Sequence, residues 1–165
     1  MPFETLIAVM GFAFVTSISP GPGNFLLLTS GVNFGFSRSL PLVFGISLGF
    51  LSMVFLVGLG FGQLLETVPF MYGGLKVACV VYVLWLAWRI ATSRSIGSTQ
   101  DQDMAHPISF IRAAFLQLLN PKAWAVSLIV TVTYTTPESY LSSLVWVILF
   151  FALVNIPSIS LWALS

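Results

Sequence analysis

The chain has 165 residues, 58% of them hydrophobic and 7% charged, with six basic and five acidic side chains and a net charge of +1. Soluble chains carry about 25% charged residues, and a small domain has proportionally more surface to cover with them. The composition therefore excludes a soluble enzyme, a disordered chain and a nucleic-acid binder with a basic face, and leaves an integral membrane protein with little mass outside the bilayer. Cys79 is the one cysteine, which excludes an internal disulfide and a CxxC redox or metal pair. It reads as a small buried apolar residue, and no cofactor or metal site is expected.

A membrane-crossing helix takes about 20 mostly apolar residues. Five such stretches follow one another, at residues 3–32, 40–65, 70–90, 108–133 and 140–164. Strand-like alternation is absent, and lipid requires the backbone to satisfy its own hydrogen bonds. The expected fold is an all-α integral membrane protein with five transmembrane helices. Between them lie a connection at 33–39 carrying Arg38, a tight turn at 66–69, a polar linker at 93–107 and a turn at 135–139. His106, in the linker, reads as solvated.

The first stretch is not a signal peptide, because Glu4 stands where a basic n-region would be. Its middle contains Ser19-Pro20-Gly21-Pro22-Gly23-Asn24. Each proline removes an amide donor and clashes with the carbonyl four residues back, so the helix breaks there and restarts near Asn24. Broken backbone is tolerated in lipid only when it is buried in protein or lines a wet cavity. The second stretch carries Gly45/Gly49 and Gly58/Gly62, and the first ends on Gly31/Gly35; these GxxxG pairs read as close helix packing. In the third, Trp85 and Trp88 flank Arg89 as an interfacial anchor would.

The fourth stretch repeats the interruption of the first, at Gln117-Leu118-Leu119-Asn120-Pro121-Lys122. Each break lies in the segment that opens its half of the chain. Paired interruptions in corresponding positions are the sequence pointer to a transporter's midplane site. The domain reading is a first membrane repeat at 1–92, a cytoplasmic linker at 93–107 and a second repeat at 108–165, the two inverted relative to each other with broken first helices. In the fifth stretch, Asn155-Ile156-Pro157-Ser158 reads either as a third cavity element or as a proline kink.

A restarted half-helix exposes unpaired N–H groups and the positive end of its dipole. Two such ends would attract a carboxylate. Asn24 and Asn120 can add side-chain hydrogen bonds, and Lys122 a full charge. A lysine at the bilayer centre costs roughly 2.5–3.5 kcal/mol on insertion scales, so it should face a polar cavity or a partner. The alternatives are that Lys122 snorkels to an interface, that Gln117 and Asn120 only cap broken backbone, and that the Pro–Gly cluster is a simple kink.

With five alternating helices, Arg38, Arg89, Arg94 and Arg112 fall on one side, and Glu4, Glu66, Glu138 and Lys76 on the other. The excess of basic residues places the first group in the cytoplasm and the N-terminus outside. An odd helix count and an abrupt finish at Leu164-Ser165 predict that a sixth helix is missing.

Taken together, Ser19-Pro20-Gly21-Pro22-Gly23-Asn24, Gly35-Phe36 with Arg38, Gly45-Ile46-Ser47-Leu48-Gly49, Trp85-Leu86-Ala87-Trp88-Arg89 and Leu119-Asn120-Pro121-Lys122-Ala123 occur in this order. The chain resembles the LysE/RhtB family of amino-acid exporters over essentially its whole length. Its linker, second helix and WLAW pattern are similar to the cysteine/O-acetylserine exporter branch. The resemblance implies a multi-pass protein of the bacterial inner membrane that expels small amino acids or derivatives in exchange for protons. It also implies a sixth closing helix, surrounding lipid as partner, and compatibility with a homo-oligomer.

On this reading the substrate-binding residues are Ser19, Pro20, Gly21, Pro22, Gly23, Asn24, Gln117, Asn120, Pro121, Lys122 and Asn155. No acidic residue lies deep in any segment, so the proton carrier would be Lys122, water or a residue of the missing segment. An intramembrane enzyme lacks its constellation, since the single His and the Asp pair lie in the linker. A passive channel or non-transporting subunit is the alternative.

Overall fold

The structure is a computed structural model and describes residues 3–67, 81 and 106–165. The third apolar stretch (Val81 apart), Cys79, the Trp85–Arg89 anchor and nearly all of the 93–107 linker lie outside the described residues. Those described form helices and the turns between them, with no strand among them.

Helix α1 (Phe3–Ile18) and helix α2 (Pro22–Phe34) meet at 58° across the Ser19–Gly21 break. The restart comes at Pro22, earlier than the sequence suggests. A proline fits the first helical position because its missing N–H would have no intrahelical partner there. Gly35 ends α2 at φ 81°, with its N–H donated to Gly31 O at 2.8 Å. This left-handed conformation favours glycine. Helix α3 then begins at once and runs Phe36–Thr67 through Pro41. The expected connection at 33–39 is therefore a single-residue corner, pinned by a buried Ser30–Ser39 hydroxyl pair at 2.7 Å.

The second broken span consists of α4 (Phe110–Leu116), a 3-10 turn at Gln117–Leu119 and α5 (Pro121–Tyr134), bent by 76°. After a second 3-10 turn at Pro137–Ser139, α6 runs unbroken from Tyr140 to Leu164. Pro157 lies inside α6 and does not divide it. Among the described residues, two helices can by length and composition cross a membrane alone, Phe36–Gly60 and Pro137–Leu164, and up to four spans result if each bent pair counts as one.

The central helices pack closely. Helices α3 and α6 are antiparallel, with Gly58 against Leu144, the Phe50 and Phe151 rings 5.1 Å apart, and Ser47 against Asn155. Helices α3 and α4 are parallel, with Gly45 against Phe110 and Gly49 against Ala114. Two apolar cores result. One joins Val9 and Ala13 of α1 to Val126 and Val130 of α5; the other joins Leu27 of α2 to Ala113 of α4. Helices α3 and α6 contribute to both. Each core thus takes the leading half of one broken span and the trailing half of the other. The two breaks fall between the cores.

Candidate functional site

Prolines 20 and 22 have no amide to donate, which leaves the last carbonyls of α1 short of helical partners. Side chains from further along the chain supply them. The Asn24 amide nitrogen donates to both Ser17 O and Ser19 O, each at 2.8 Å. Lys122 Nζ reaches from the start of α5 to the same Ser19 O at 2.6 Å. The Ser19 hydroxyl turns back to Thr16 O at 3.0 Å.

Lys122 thus ties the two breaks together. At its own position in α5 the helix dipole disfavours a cation, but its ammonium sits at the carbonyl end of α1, where the dipole favours one. The cost of burying the charge is offset by backbone carbonyl without an acidic partner. Its stem is directed across to the break of the first span, where the ammonium meets Ser19 O.

Gly21 makes room for that stem. A Cβ at Gly21 would stand 3.0 Å from Lys122 Cδ and 3.4 Å from Nζ. The Gly21 backbone is extended (φ −171°, ψ 170°), a conformation open to any residue, so what glycine provides here is space.

The two restarted half-helices differ. At α5, Asn120 Oδ1 accepts from Lys122 N at 3.1 Å, Asn120 O accepts from Ala123 N at 3.0 Å, and Asn120 Nδ2 reaches Gln117 Oε1 at 3.3 Å. This N-terminus is closed by its own cap. At α2 the cap residue is Gly21, and no side chain caps it. The electropositive end left open to a ligand is therefore that of α2, around the amides of Gly23 and Asn24.

Asn155 supplies the third element. Its Oδ1 accepts from Ser47 Oγ and its Nδ2 donates to Ser17 Oγ, both at 2.8 Å. A buried polar chain therefore runs from α3 through α6 and α1 to Asn24. Ser17 and Ser47 escaped the sequence reading because a membrane-helix serine can satisfy itself on a carbonyl one turn back and so shows no cost. We expect Asn155→Leu to lower stability by about 1–2 kcal/mol, from two interhelical bonds at roughly 0.6 kcal/mol each plus the stranded hydroxyls. Thermal unfolding in detergent checks this; an unchanged midpoint would show that both serines find other partners.

These groups line a pocket between the two cores, with a water-accessible volume of about 50 Å³. At about 10–15 Å³ per water, it holds a few waters or a small solute. Of the predicted site residues, Gly21, Gly23, Asn24, Gln117, Asn120, Lys122 and Asn155 line it, joined by Thr16, Ser17 and apolar walls from Ile46, Phe50, Val126 and Phe151. Ser19 is not among the lining residues; its carbonyl holds the lining residues Asn24 and Lys122. Pro20, Pro22 and Pro121 are exposed and only shape the backbone. Both protons of the Asn24 amide are spent on α1, so its side chain offers the pocket an acceptor. Among the described residues no cluster suited to a metal ion occurs.

Two broken spans whose interruptions touch across a small cavity, with a few polar groups set in mainly apolar walls, point to a multi-pass membrane transport protein. The chain belongs to the LysE family, since the LysE type translocator family matches residues 14–164. It is accordingly a transporter and not an enzyme. The cysteine/O-acetylserine efflux protein of Escherichia coli K12 is 35% identical over 144 residues, covering 87% of this chain and 71% of that protein. The efflux protein of the same name from Shigella sonnei matches equally, and that of Escherichia coli O1:K1 at 34%. No solved structure matches the chain.

Proposed function

We propose that the protein is a secondary exporter of small amino acids or their derivatives across the bacterial inner membrane, driven by proton exchange. The observation that carries this reading is Lys122, a half-buried cation lining a solute-sized pocket beside the uncapped amino end of α2. In this site the substrate carboxylate binds between Lys122 Nζ and the Gly23 and Asn24 amides. Gln117, Asn120 and Asn155 provide the neutral polar wall. The names of the relatives favour L-cysteine and O-acetyl-L-serine as substrates. Lys122 is the one titratable side chain lining the pocket among the described residues, which makes it the candidate proton carrier.

The crossed sharing of cores by the half-helices, α1 with α5 and α2 with α4, supports two inverted repeats, the first at 1–92 and the second opening at 108, with five membrane-crossing segments in all. The exposed apolar stripe Phe44, Leu48, Phe55 and Leu59 on α3 fits contact with lipid. Arg38 opens α3 at one end of the bundle, while Glu4 and Glu138 open the helices that pack at the other. This supports a cytoplasmic linker and an outside N-terminus. A cysteine introduced at Ser98, in a Cys79→Ser background, should resist membrane-impermeant thiol reagents in intact cells; ready labelling would reverse the orientation.

Proteoliposome flux tests the function itself. Saturable, pH-gradient-driven counterflow of L-cysteine is expected. Flux that never saturates would identify a channel instead.

A further inference from the structure

An amino acid brings an ammonium group as well as a carboxylate, and no carboxylate side chain lines the pocket among the described residues. A buried ammonium needs several hydrogen-bond acceptors. One such set lies at the end of α1, where Ser17 O and Ser19 O accept from Asn24 Nδ2 and the helix dipole is negative. One primary ammonium is already bound there: Lys122 Nζ, at 2.6 Å from Ser19 O.

We propose that the carbonyl end of α1 is the pocket's subsite for the substrate's primary ammonium, and that Lys122 is its tethered occupant when the pocket is empty. The inference rests on the amino-acid reading above and adds to it where the positive end of the substrate binds. The lysine head and an α-ammonium are the same chemical group, with three donors and one charge, so each satisfies Ser19 O as the other does. An incoming zwitterion displaces Nζ from Ser19 O with its ammonium, and the released Nζ turns to its carboxylate. The exchange keeps every charge paired. A ligand with an ammonium but no carboxylate must evict Lys122 and offers it nothing in return, so it binds weakly. A ligand with only a carboxylate leaves the subsite to the lysine.

The test uses the purified full chain in lipid nanodiscs with three probes: reduced L-cysteine, L-cysteine methyl ester and N-acetyl-L-cysteine. Lys122→Met keeps the bulk of the stem and removes the head. Its affinity for the methyl ester should rise about tenfold, as when a site free about one-tenth of the time becomes free throughout, while binding of N-acetyl-L-cysteine, which leaves the lysine in place in the unmodified chain, should change little. Gly21→Ala is the second variant. Its methyl group presses on the Lys122 stem, at 3.0 Å from Cδ, and should shift affinity for the methyl ester in the same direction with the charge retained.

Unchanged or weaker methyl-ester binding in both variants overturns the proposal. In the unmodified chain the ester should also inhibit L-cysteine counterflow competitively, and its failure to do so overturns the proposal even if neither variant inserts. Absence of L-cysteine binding to the unmodified chain would instead defeat the amino-acid reading. Normal L-cysteine binding with an indifferent ester removes only the ammonium subsite.

Discussion

Replacing Lys122 with glutamine raises the apparent dissociation constant for a transported amino acid about tenfold to hundredfold. A charge-assisted hydrogen bond contributes roughly 1.5–3 kcal/mol, and each 1.4 kcal/mol corresponds to about a factor of ten. The pair removed is the one between Nζ and the substrate carboxylate. Glutamine retains an amide donor within the same region, and Asn24 still holds Ser17 O and Ser19 O, so insertion and helix packing should survive. Calorimetry on the purified chain across a panel of amino acids gives the measurement. Wild-type affinity in the glutamine variant would leave Lys122 as a tie between the two breaks with no part in substrate binding.

The second large effect concerns packing. Gly45→Ala should destabilise the protein by about 1–3 kcal/mol or more, the range for overfilling a tight interior. A Cβ at Gly45 would stand 2.5 Å from Phe110 O and 2.6 Å from Ala113 Cβ, and one at Gly49 would stand 2.7 Å from Ala114 Cα. These contacts are backbone or backbone-fixed, so no side chain can swing away; α4 itself must move. In lipid, helices associate chiefly through such close van der Waals contact. Because α4 leads directly into Gln117 and Asn120, its displacement should also disturb the pocket. Gly11→Ala is the control, since nothing lies within 4 Å of its Cβ position. It should be neutral or gain about 0.5–1 kcal/mol from helix propensity. Thermal unfolding of the variants in one detergent decides the matter; an equal response at Gly45 and Gly11 would refute the backbone contact.

What the sequence by itself determined are the features set by local covalent chemistry and by the solvent. The apolar runs announce a membrane protein because lipid admits few charges. Pro20 and Pro22, clustered with Gly21 and Gly23, and Pro121 behind the capping Asn120 announce broken helices from local chemistry, whereas the lone Pro41 and Pro157 are carried inside helices. The cost of charge in lipid marks Lys122 as a residue in need of a partner. The corner at Gly35 reads too long in the sequence, as 33–39, because Arg38 resembles a loop residue; a helix accepts it in its first turn.

The identity of the partners was decided by tertiary structure alone. Nothing local to Lys122 tells that its head meets Ser19 O, because that depends on which helix end is brought alongside. Asn24 and Asn120 look alike in sequence, yet one caps the helix before it and the other the helix after it. The first makes this choice because Ser17 and Ser19 carbonyls are left bare at the α1 break; the second, because Lys122 N lies within its own reach. Ser17 and Ser47 became part of the site only when α1, α3 and α6 converged on Asn155. A helix fixes the spacing of its own side chains, but a buried polar group is satisfied by whatever the fold places next to it, and that is a property of packing between segments distant in the chain.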